Sequence, residues 1–168
     1  MNSKRVVAAA SLVLLLVILI YPALASGSLS ISIKSASISQ ADHVFITIKD
    51  VWAHRAGQSQ SQGWELVYNK TETLDLTSLV TSPNMIKGNA PAATYDALRL
   101  DATNVTWVFN GTTSNLQLES EQLSSNIDFS VKSSQDVPLV ILIVGRSETL
   151  EGQRFFAATL NATLANGS

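Results

Sequence analysis

The chain has 168 residues, a formal net charge of −2 at pH 7 and no cysteine. This length suits one domain with a single core, the charge balance provides no basic patch for nucleic acid, and the lack of cysteine excludes disulfides and thiolate metal sites. We therefore expect one domain that is stabilised by packing and strand pairing and holds no cofactor.

Residues 1–25 have the pattern of a secretory signal. Lys4 and Arg5 form a basic start, apolar residues dominate from Val6 to Ile20, and Ala23-Leu24-Ala25 is a small-x-small cleavage site. A retained membrane anchor is the alternative, because this segment approaches the roughly 20 apolar residues that cross a bilayer. We expect cleavage after Ala25, an extracellular location at the cell surface, and no stable membrane span in the mature chain.

Five Asn-x-Ser/Thr sequons follow the signal. In an exported protein such sequons are acceptors for N-linked glycans. We expect glycans at Asn69, Asn104, Asn110 and Asn161, whereas Asn166 is the poorest acceptor because its Ser168 is the last residue. Export, the sequons and the absence of cysteine together predict an archaeal surface glycoprotein.

Alternation of apolar and polar residues predicts strands in the first half of the mature chain. Residues 29–33 alternate strictly, and residues 44–53 alternate with a change of phase near Asp50, which is typical of a β-bulge. The further predictions are a solvated loop over 57–63, short strands over 64–68 and 73–76, a single helical turn over 76–79, and an irregular crossing over 82–91.

The second half continues in the same way. The predictions are a long strand over 94–109 with another change of phase, a type I′ hairpin turn at Asn110-Gly111, a return strand through 116–118, a strand over 127–131 and a last strand over 155–164. Residues 139–144 are apolar at every position, which predicts a strand that is covered on both faces or lies at the centre of the core. The fold class is all-β, an immunoglobulin-like or pilin-like antiparallel β-sandwich.

Five segments in a fixed order carry a resemblance to a known family. They are His43–Arg55, Gly63-Trp64, Thr73–Thr77, Pro91–Tyr95 and Leu98–Leu100. Their order resembles the secreted domain-of-unknown-function family numbered 4382. Ala93 stands where the family pattern Pro-Ala-Gly-x-Tyr has glycine, and Lys34–Ser37 replaces its Thr-Asp-Ala-Pro. The resemblance implies a β-sandwich on exported prokaryotic, often archaeal, proteins and implies no catalytic residues.

The two histidines are the first candidates for a metal site. His43 and His54 are 11 residues apart on one extended segment, and a straight strand separates such positions by more than about 30 Å. They cannot share a metal without a sharp fold between them, so we expect surface polar residues and no metal site. Because no Gly-x-Ser-x-Gly elbow or other positioned nucleophile is present, we also expect no enzymatic activity.

The segment 26–39 has two interpretations, the first strand of its own sandwich or a donor strand that completes the sheet of a neighbouring copy. In the second interpretation Leu29, Ile31 and Ile33 are the donor residues. The acceptor groove is lined by Leu139, Ile141 and Ile143. The domain boundaries are then 1–25 for the signal, 26–39 for the strand or tail, and 40–168 for the sandwich.

Two functions remain open. The leading hypothesis is a structural subunit of a glycosylated archaeal surface filament, a homopolymer joined head to tail by donor-strand complementation; this architecture resembles thread-type filament subunits. The alternative is a monomeric cell-surface β-sandwich that binds a ligand without enzymatic activity. For that module Trp52, Trp64 and Trp107 either line a sugar platform or cap the ends of the core.

Overall fold

The computed structural model describes residues 25–165. The predicted signal, apart from Ala25, and the sequon at Asn166 lie outside the described residues. The described chain is built almost entirely from strands, which confirms the all-β prediction. The strands are β1 (Ser26–Ser35), β2 (His43–Arg55), β3 (Trp64–Tyr68), β4 (Glu72–Asp75), β5 (Asn84–Pro91), β6 (Ala93–Phe109), β7 (Thr112–Leu118), β8 (Gln122–Val131), β9 (Asp136–Leu150) and β10 (Gln153–Leu164).

The strands follow one path of hydrogen-bonded neighbours, β3-β2-β6-β7-β10-β9-β1-β5, with β4 also paired to β2 and β8 also paired to β6. The path folds over at β7, so that a β2–β6 layer (β3, β4, β2, β6, β8) faces a β1–β9 layer (β10, β9, β1, β5). At its two ends β3 and β5 approach closely, since a Cβ on Gly88 would lie 2.3 Å from the carbonyl oxygen of Val67. The sandwich is therefore nearly closed.

Two pairs of neighbouring strands are parallel. Strand β1 is antiparallel to β5 but parallel to β9, and β7 meets β10 in a short parallel pairing at Phe155 and Phe156. The expectation of a purely antiparallel sandwich is wrong at these two places. Alternation of apolar and polar residues reports which face of a strand is buried, not the direction in which the strand runs.

The change of phase in the second strand is confirmed as a register shift between β2 and β6. The shift falls between Ile48 and Asp50. Beyond it Val51 is buried in the core, whereas Trp52 lies on the outer face and is only half-buried. The bulge therefore decides which side chains of β2 reach the surface.

The prediction of an irregular crossing over 82–91 is wrong, because Asn84–Pro91 form β5 and pair with β1. Glycine and proline weakened the strand signal there, yet Pro91 merely ends the strand and Gly88 sits where β3 comes close. The predicted helical turn is present as a 3₁₀ turn at Ser78–Val80. The type I′ hairpin is consistent with φ values of 49° at Asn110 and 72° at Gly111.

The crossing from β5 to β6 carries a tyrosine corner, in which a tyrosine hydroxyl bonds to the backbone a few residues upstream. The hydroxyl of Tyr95 donates to the carbonyl oxygen of Pro91 at 2.8 Å, and its buried ring stacks on Phe129 with the centroids 5.1 Å apart. This corner is typical of immunoglobulin-like sandwiches and fixes the turn from one layer to the other.

Of the two alternatives for residues 139–144, cover on both faces is wrong, because strand β9 is covered on its inner face alone, whereas its inward residues do lie in the core. Its inward residues are at most 1% exposed; they are Leu139, Ile141 and Ile143. Between them, Val140 and Leu142 are half-buried and Val144 is 38% exposed. Within residues 25–165, no helix is both long and apolar enough to span a bilayer.

Candidate functional site

The outer face of the β2–β6 layer carries a stack of aromatic and cationic side chains. The guanidinium carbon of Arg99 lies 5.0 Å from the ring centroid of Trp52 and 4.8 Å from that of Trp64. Both distances are within the range of cation–π attraction. We call these three residues the Trp–Arg stack. All three are half-buried, so the stack forms part of the protein surface.

Strand pairing assembles the Trp–Arg stack from three strands. Arg99 on β6 is the direct partner of Trp52 on β2, and Trp64 on β3 is the partner of His54, two residues further along β2. Directly opposed residues project from the same face of a sheet. If the register of β2 moved by one residue, the outward side chains of β2 would point into the core. The bulge after Ile48 therefore places Trp52 beside Arg99.

Polar contacts fix the stack from within the protein. The indole Nε1 of Trp52 donates to Oδ2 of Asp101 at 2.8 Å, and Oδ1 of Asp101 lies 3.0 Å from Nε of Arg99. The indole Nε1 of Trp64 donates to the carbonyl oxygen of Gln60 at 3.0 Å. Because both indole donors are satisfied internally, the stack offers a partner flat apolar area and ring edges.

The surface continues on both sides of the stack. Leu66, the β3 partner of Trp52, is 42% exposed. On the other side three neutral residues of β8 lie opposite the outward residues of β6, and all three are exposed. We call this set the β8 row; it comprises Gln122, Ser124 and Asn126. The face thus combines aromatic area with hydroxyl and amide groups.

His54 lies beside the stack and is completely buried, so the expectation of a surface histidine is wrong for it. Its Nδ1 is 2.6 Å from Oδ1 of Asp96 and its Nε2 is 3.0 Å from the carbonyl oxygen of Ser59. Both partners are acceptors, so both ring nitrogens donate when the imidazole is protonated. The hydrogen bond to Asp96, followed by that to Ser59, raises the pKa of His54 above 6.5.

Each of the two histidines contacts a different aspartate. His43 is exposed, and its Nδ1 lies 2.8 Å from Oδ2 of Asp75, whereas His54 contacts Asp96. Among the residues that the structure describes, no group of three His, Asp or Glu side chains is arranged to hold a metal ion.

Trp107 does not join the other two tryptophans. It is 2% exposed, its ring packs at a tilt against Phe156 with the centroids 6.3 Å apart, and its Nε1 donates to the carbonyl oxygen of Gln40 at 3.1 Å. A sugar platform of all three tryptophans is therefore not formed, and Trp107 belongs to the core.

Residues 26–35, the predicted donor segment, lie within the sheet of their own chain. The inward side chains of β1 are 0% exposed; they are Leu29, Ile31 and Ile33. In register with β9, Ile31 is opposite Leu139, Ile33 is opposite Ile141, and Ser35 is opposite Ile143. The structure thus brings the expected donor residues and the expected groove residues together inside one chain.

Polar contacts fix the register of β1 on the outer face. The hydroxyls of Ser28 and Ser30 donate to the carboxylate of Asp136 on β9 at 2.7 and 2.8 Å. These two hydrogen bonds lower the pKa of Asp136. The connector 36–42 is held as well, through Ala36, whose N–H donates to Ile143, and through the bond from Trp107 to Gln40.

The four sequons within residues 25–165 all have exposed asparagines. Asn69 follows β3 and Asn110 occupies the turn between β6 and β7, whereas Asn104 lies within β6 and Asn161 lies within β10. Each asparagine is therefore accessible on the folded surface.

A family model for a domain of unknown function, DUF4382, matches residues 26–147. The chain belongs to the DUF4382 family. This confirms the resemblance seen in the ordered segments. Curated proteins give no match to the chain. Strand β10 lies beyond the region matched by DUF4382, yet it pairs along β9 and inserts Phe156 into the core.

The segments that carry the DUF4382 resemblance have clear structural roles. Three of them, His43–Arg55, Gly63-Trp64 and Leu98–Leu100, supply the Trp–Arg stack and His54. The segment Pro91–Tyr95 forms the tyrosine corner, and Thr73–Thr77 contains Asp75 with its hydrogen-bond donors. In this chain the residues of the DUF4382 pattern therefore form both the tyrosine corner and the outer face that carries the Trp–Arg stack.

Sequence reasoning missed Arg99, Asp101 and Asp96 as members of this face. A signal for Arg99 and Asp101 was present, because they alternate with the buried Leu98 and Leu100 and so project outwards, whereas Asp96 lies at a register shift that alternation does not locate. What the alternation does not reveal is the strand opposite them, which requires the register of β2 against β6.

Proposed function

We propose that the mature chain is a self-contained β-sandwich module, exported to an archaeal cell surface, that binds polysaccharide through the face made by the Trp–Arg stack and the β8 row and has no enzymatic activity. The observation that carries the proposal is the Trp–Arg stack itself. A cation held between two half-buried indoles on an open sheet face gives a rigid, preorganised surface, and rigidity reduces the entropy cost of binding.

The chemistry of the face favours a neutral sugar polymer. Arg99 is balanced by Asp101 at 3.0 Å, and the neighbouring Arg55 is balanced by Glu65 at 2.8 Å. The face therefore carries little net charge to attract an ionic ligand. Sugar rings combine apolar C–H faces, which pack on aromatic and aliphatic side chains, with hydroxyls, which the β8 row is suited to bind.

The test is binding of the exported protein to surface polysaccharide purified from its source cells and to an array of neutral oligosaccharides. Arg99→Lys keeps the charge but loses the planar stacking group, and Gln122→Ala removes an amide from the β8 row. We expect each change to weaken binding about tenfold, or about 1.4 kcal/mol. Met85→Ser, on the opposite layer, is the matched control and should bind as the wild type does.

Two results would contradict the proposal. One is the absence of binding to any of these sugars, and the other is wild-type affinity in both Arg99→Lys and Gln122→Ala. In either case the Trp–Arg stack would be a structural clamp that holds β3 to the sheet.

A filament subunit is the second candidate, and the position of β1 favours it. β1 is a separate strand at the start of the mature chain, and its inward face meets β9 in register. The same contacts are open to β1 of a neighbouring copy, which would give a head-to-tail homopolymer. Against this, the bonds that hold the connector 36–42 to its own domain favour the self-contained arrangement. Electron microscopy of native surface material, with mass spectrometry of any filaments, separates the two candidates.

A further inference from the structure

The outer face of β9 carries an apolar stripe at the centre of the β1–β9 layer. The stripe consists of Val140 and Leu142, which are half-buried, and Val144, which is 38% exposed. These residues alternate with inward residues that fill the core, so they project away from it. The opposing layer lies on the inner face and so does not cover them.

Asn161 lies directly beside this stripe. In the antiparallel register of β9 and β10, Asn161 is opposite Leu142, and Thr163 is opposite Val140. Opposed residues of an antiparallel pair project from the same face, with Cβ atoms about 4.5–5.5 Å apart. Both Asn161 and Thr163 are exposed, whereas Ala162 between them is 9% exposed and faces inwards.

The spacing of the sequon matches the period of the strand. Acceptor asparagine and hydroxyl residue are two positions apart in Asn161-Ala162-Thr163, so both stand on the outer face. On the far side of the stripe, Ser32 of β1 is opposite Val140 and Lys34 is opposite Leu142. Because Ser32 is small, Val140 remains accessible on that side. The longer Lys34 side chain lies beyond Leu142 as seen from Asn161, so a sugar attached to Asn161 meets Leu142 before it reaches β1.

The other three sequons have different surroundings. Asn110 occupies a turn with φ of 49°, and Asn69 lies in the loop after β3. Asn104 stands among polar side chains, since its β2 partner is Thr47 and its neighbour Thr106 bonds to Asn115 at 3.2 Å. At Asn161 the strand register places a sugar against a strip of three outward apolar residues, whereas Asn69 and Asn110 each adjoin one exposed apolar residue, Leu66 and Phe109.

We propose that Asn161 carries an N-linked glycan whose first sugars lie across Val140, Leu142 and Val144 and shield this stripe from water and from other copies. The inference rests on the export included in the proposed function, and it is independent of polysaccharide binding by the opposite face. Exposed apolar strips on a sheet promote association between copies. A covalently attached sugar covers such a strip without the entropy cost of bringing in a separate partner.

The experiment compares glycosylated protein from the source cells with variants produced there. Asn161→Gln and Thr163→Ala each destroy the sequon, whereas Thr163→Ser preserves it and is the matched control. Asn110→Gln removes a glycan from the turn and is the second control. Glycopeptide mass spectrometry measures occupancy, binding of an apolar fluorescent dye measures exposure of the stripe, and light scattering measures self-association.

We expect Asn161 to be occupied, and we expect dye binding to rise severalfold with self-association in Asn161→Gln and Thr163→Ala alone. Adding Leu142→Ser to Asn161→Gln should return dye binding to the wild-type level, which shows that the stripe is the surface uncovered. Occupied Asn110 with bare Asn161 overturns this inference and leaves export intact; four bare asparagines also overturn this inference and do not bear on export. Occupied Asn161 with unchanged dye binding in Asn161→Gln also overturns the shielding role.

Discussion

Nδ1 of His54 lies 2.6 Å from Oδ1 of Asp96, in a site where the imidazole is fully buried. The other ring nitrogen faces the carbonyl oxygen of Ser59, in the loop that also accepts a bond from Trp64. A neutral imidazole has one donor and one acceptor and satisfies only one of these two contacts. The protonation of His54 is therefore coupled to the loop that supports the Trp–Arg stack.

We expect the free energy of unfolding to fall as the pH rises through the folded-state pKa of His54. This pKa is raised above 6.5 by the hydrogen bonds to Asp96 and Ser59, so the stabilisation is complete below the unfolded-state pKa and is lost as the pH rises through the folded-state pKa. Urea unfolding across pH 5–9 measures the effect. The titratable side chain that contacts the imidazole is Asp96.

His54→Asn should abolish this part of the pH dependence and cost about 1–3 kcal/mol at pH 6, the usual range for a buried polar group left without its bonds. His43→Asn, at the exposed histidine, is the control and should keep the dependence. An identical pH profile in wild type and His54→Asn would show that the buried imidazole is not the titrating group.

The ionised carboxylate of Asp75 is expected to stabilise the fold at neutral pH and to lose this effect in acid. Burial alone would raise the pKa of this carboxyl, but hydrogen bonds from Thr77, His43 and Ser78 outweigh burial and lower the pKa to about 2. Its stabilisation is present above the unfolded-state value and disappears as the pH falls through about 2. The difference in pKa corresponds to about 2 kcal/mol at neutral pH.

Asp75→Asn should therefore lower the free energy of unfolding by about 2 kcal/mol at pH 7 and by much less near pH 2. Chemical unfolding at the two pH values makes the comparison, with Asp128→Asn at an exposed site of β8 as the control. An equal loss at both pH values would mean that the side chain acts through its shape and not its charge.

The strands and their inward residues could be predicted from the sequence because a strand with one buried face has an apolar residue at every second position. Leu29, Ile31 and Ile33 show this, and so does the change of phase near Asp50. The alternation does not indicate which strands pair with each other or in which direction they run. The sequence therefore did not reveal that β1 runs parallel to β9, or that Gly88 belongs to a strand rather than a loop.

In the candidate site, too, single residues could be recognised from the sequence but their partners on other strands could not. Trp52 and Trp64 were recognised as aromatic residues of interest, but Arg99 emerged only when the β2–β6 register placed it between them. His54 looked like a surface residue because histidine is polar. Its burial depends on Trp64, its partner on β3, and on the loop that contains Ser59, and the alternation of residues along β2 reveals neither contact.

Gly88→Ala should destabilise the domain through the contact that nearly closes the sandwich. The added Cβ would lie 2.3 Å from the backbone oxygen of Val67, and a backbone atom cannot rotate away as a side chain can. We expect a loss of about 1–3 kcal/mol, the usual cost of overpacking, measured by thermal or urea unfolding. Asn89→Ala, at the exposed next residue, is the control; a loss as small as that of the control would contradict the close approach of β3 and β5.

The decisive test of how β1 is used is the double variant Ile31→Asp/Ile33→Asp. Both side chains are 0% exposed between β5 and β9, and an unpaired charge buried at such a site costs several kcal/mol. Because a domain of this kind is stable by only about 5–15 kcal/mol, we expect the self-contained module to unfold, as seen by circular dichroism. Ser32→Asp, between them on the outer face, should leave a folded monomer. A double variant that stays folded and soluble, while the wild type forms polymers that the variant cannot, would instead establish β1 as a strand donated to a neighbouring copy.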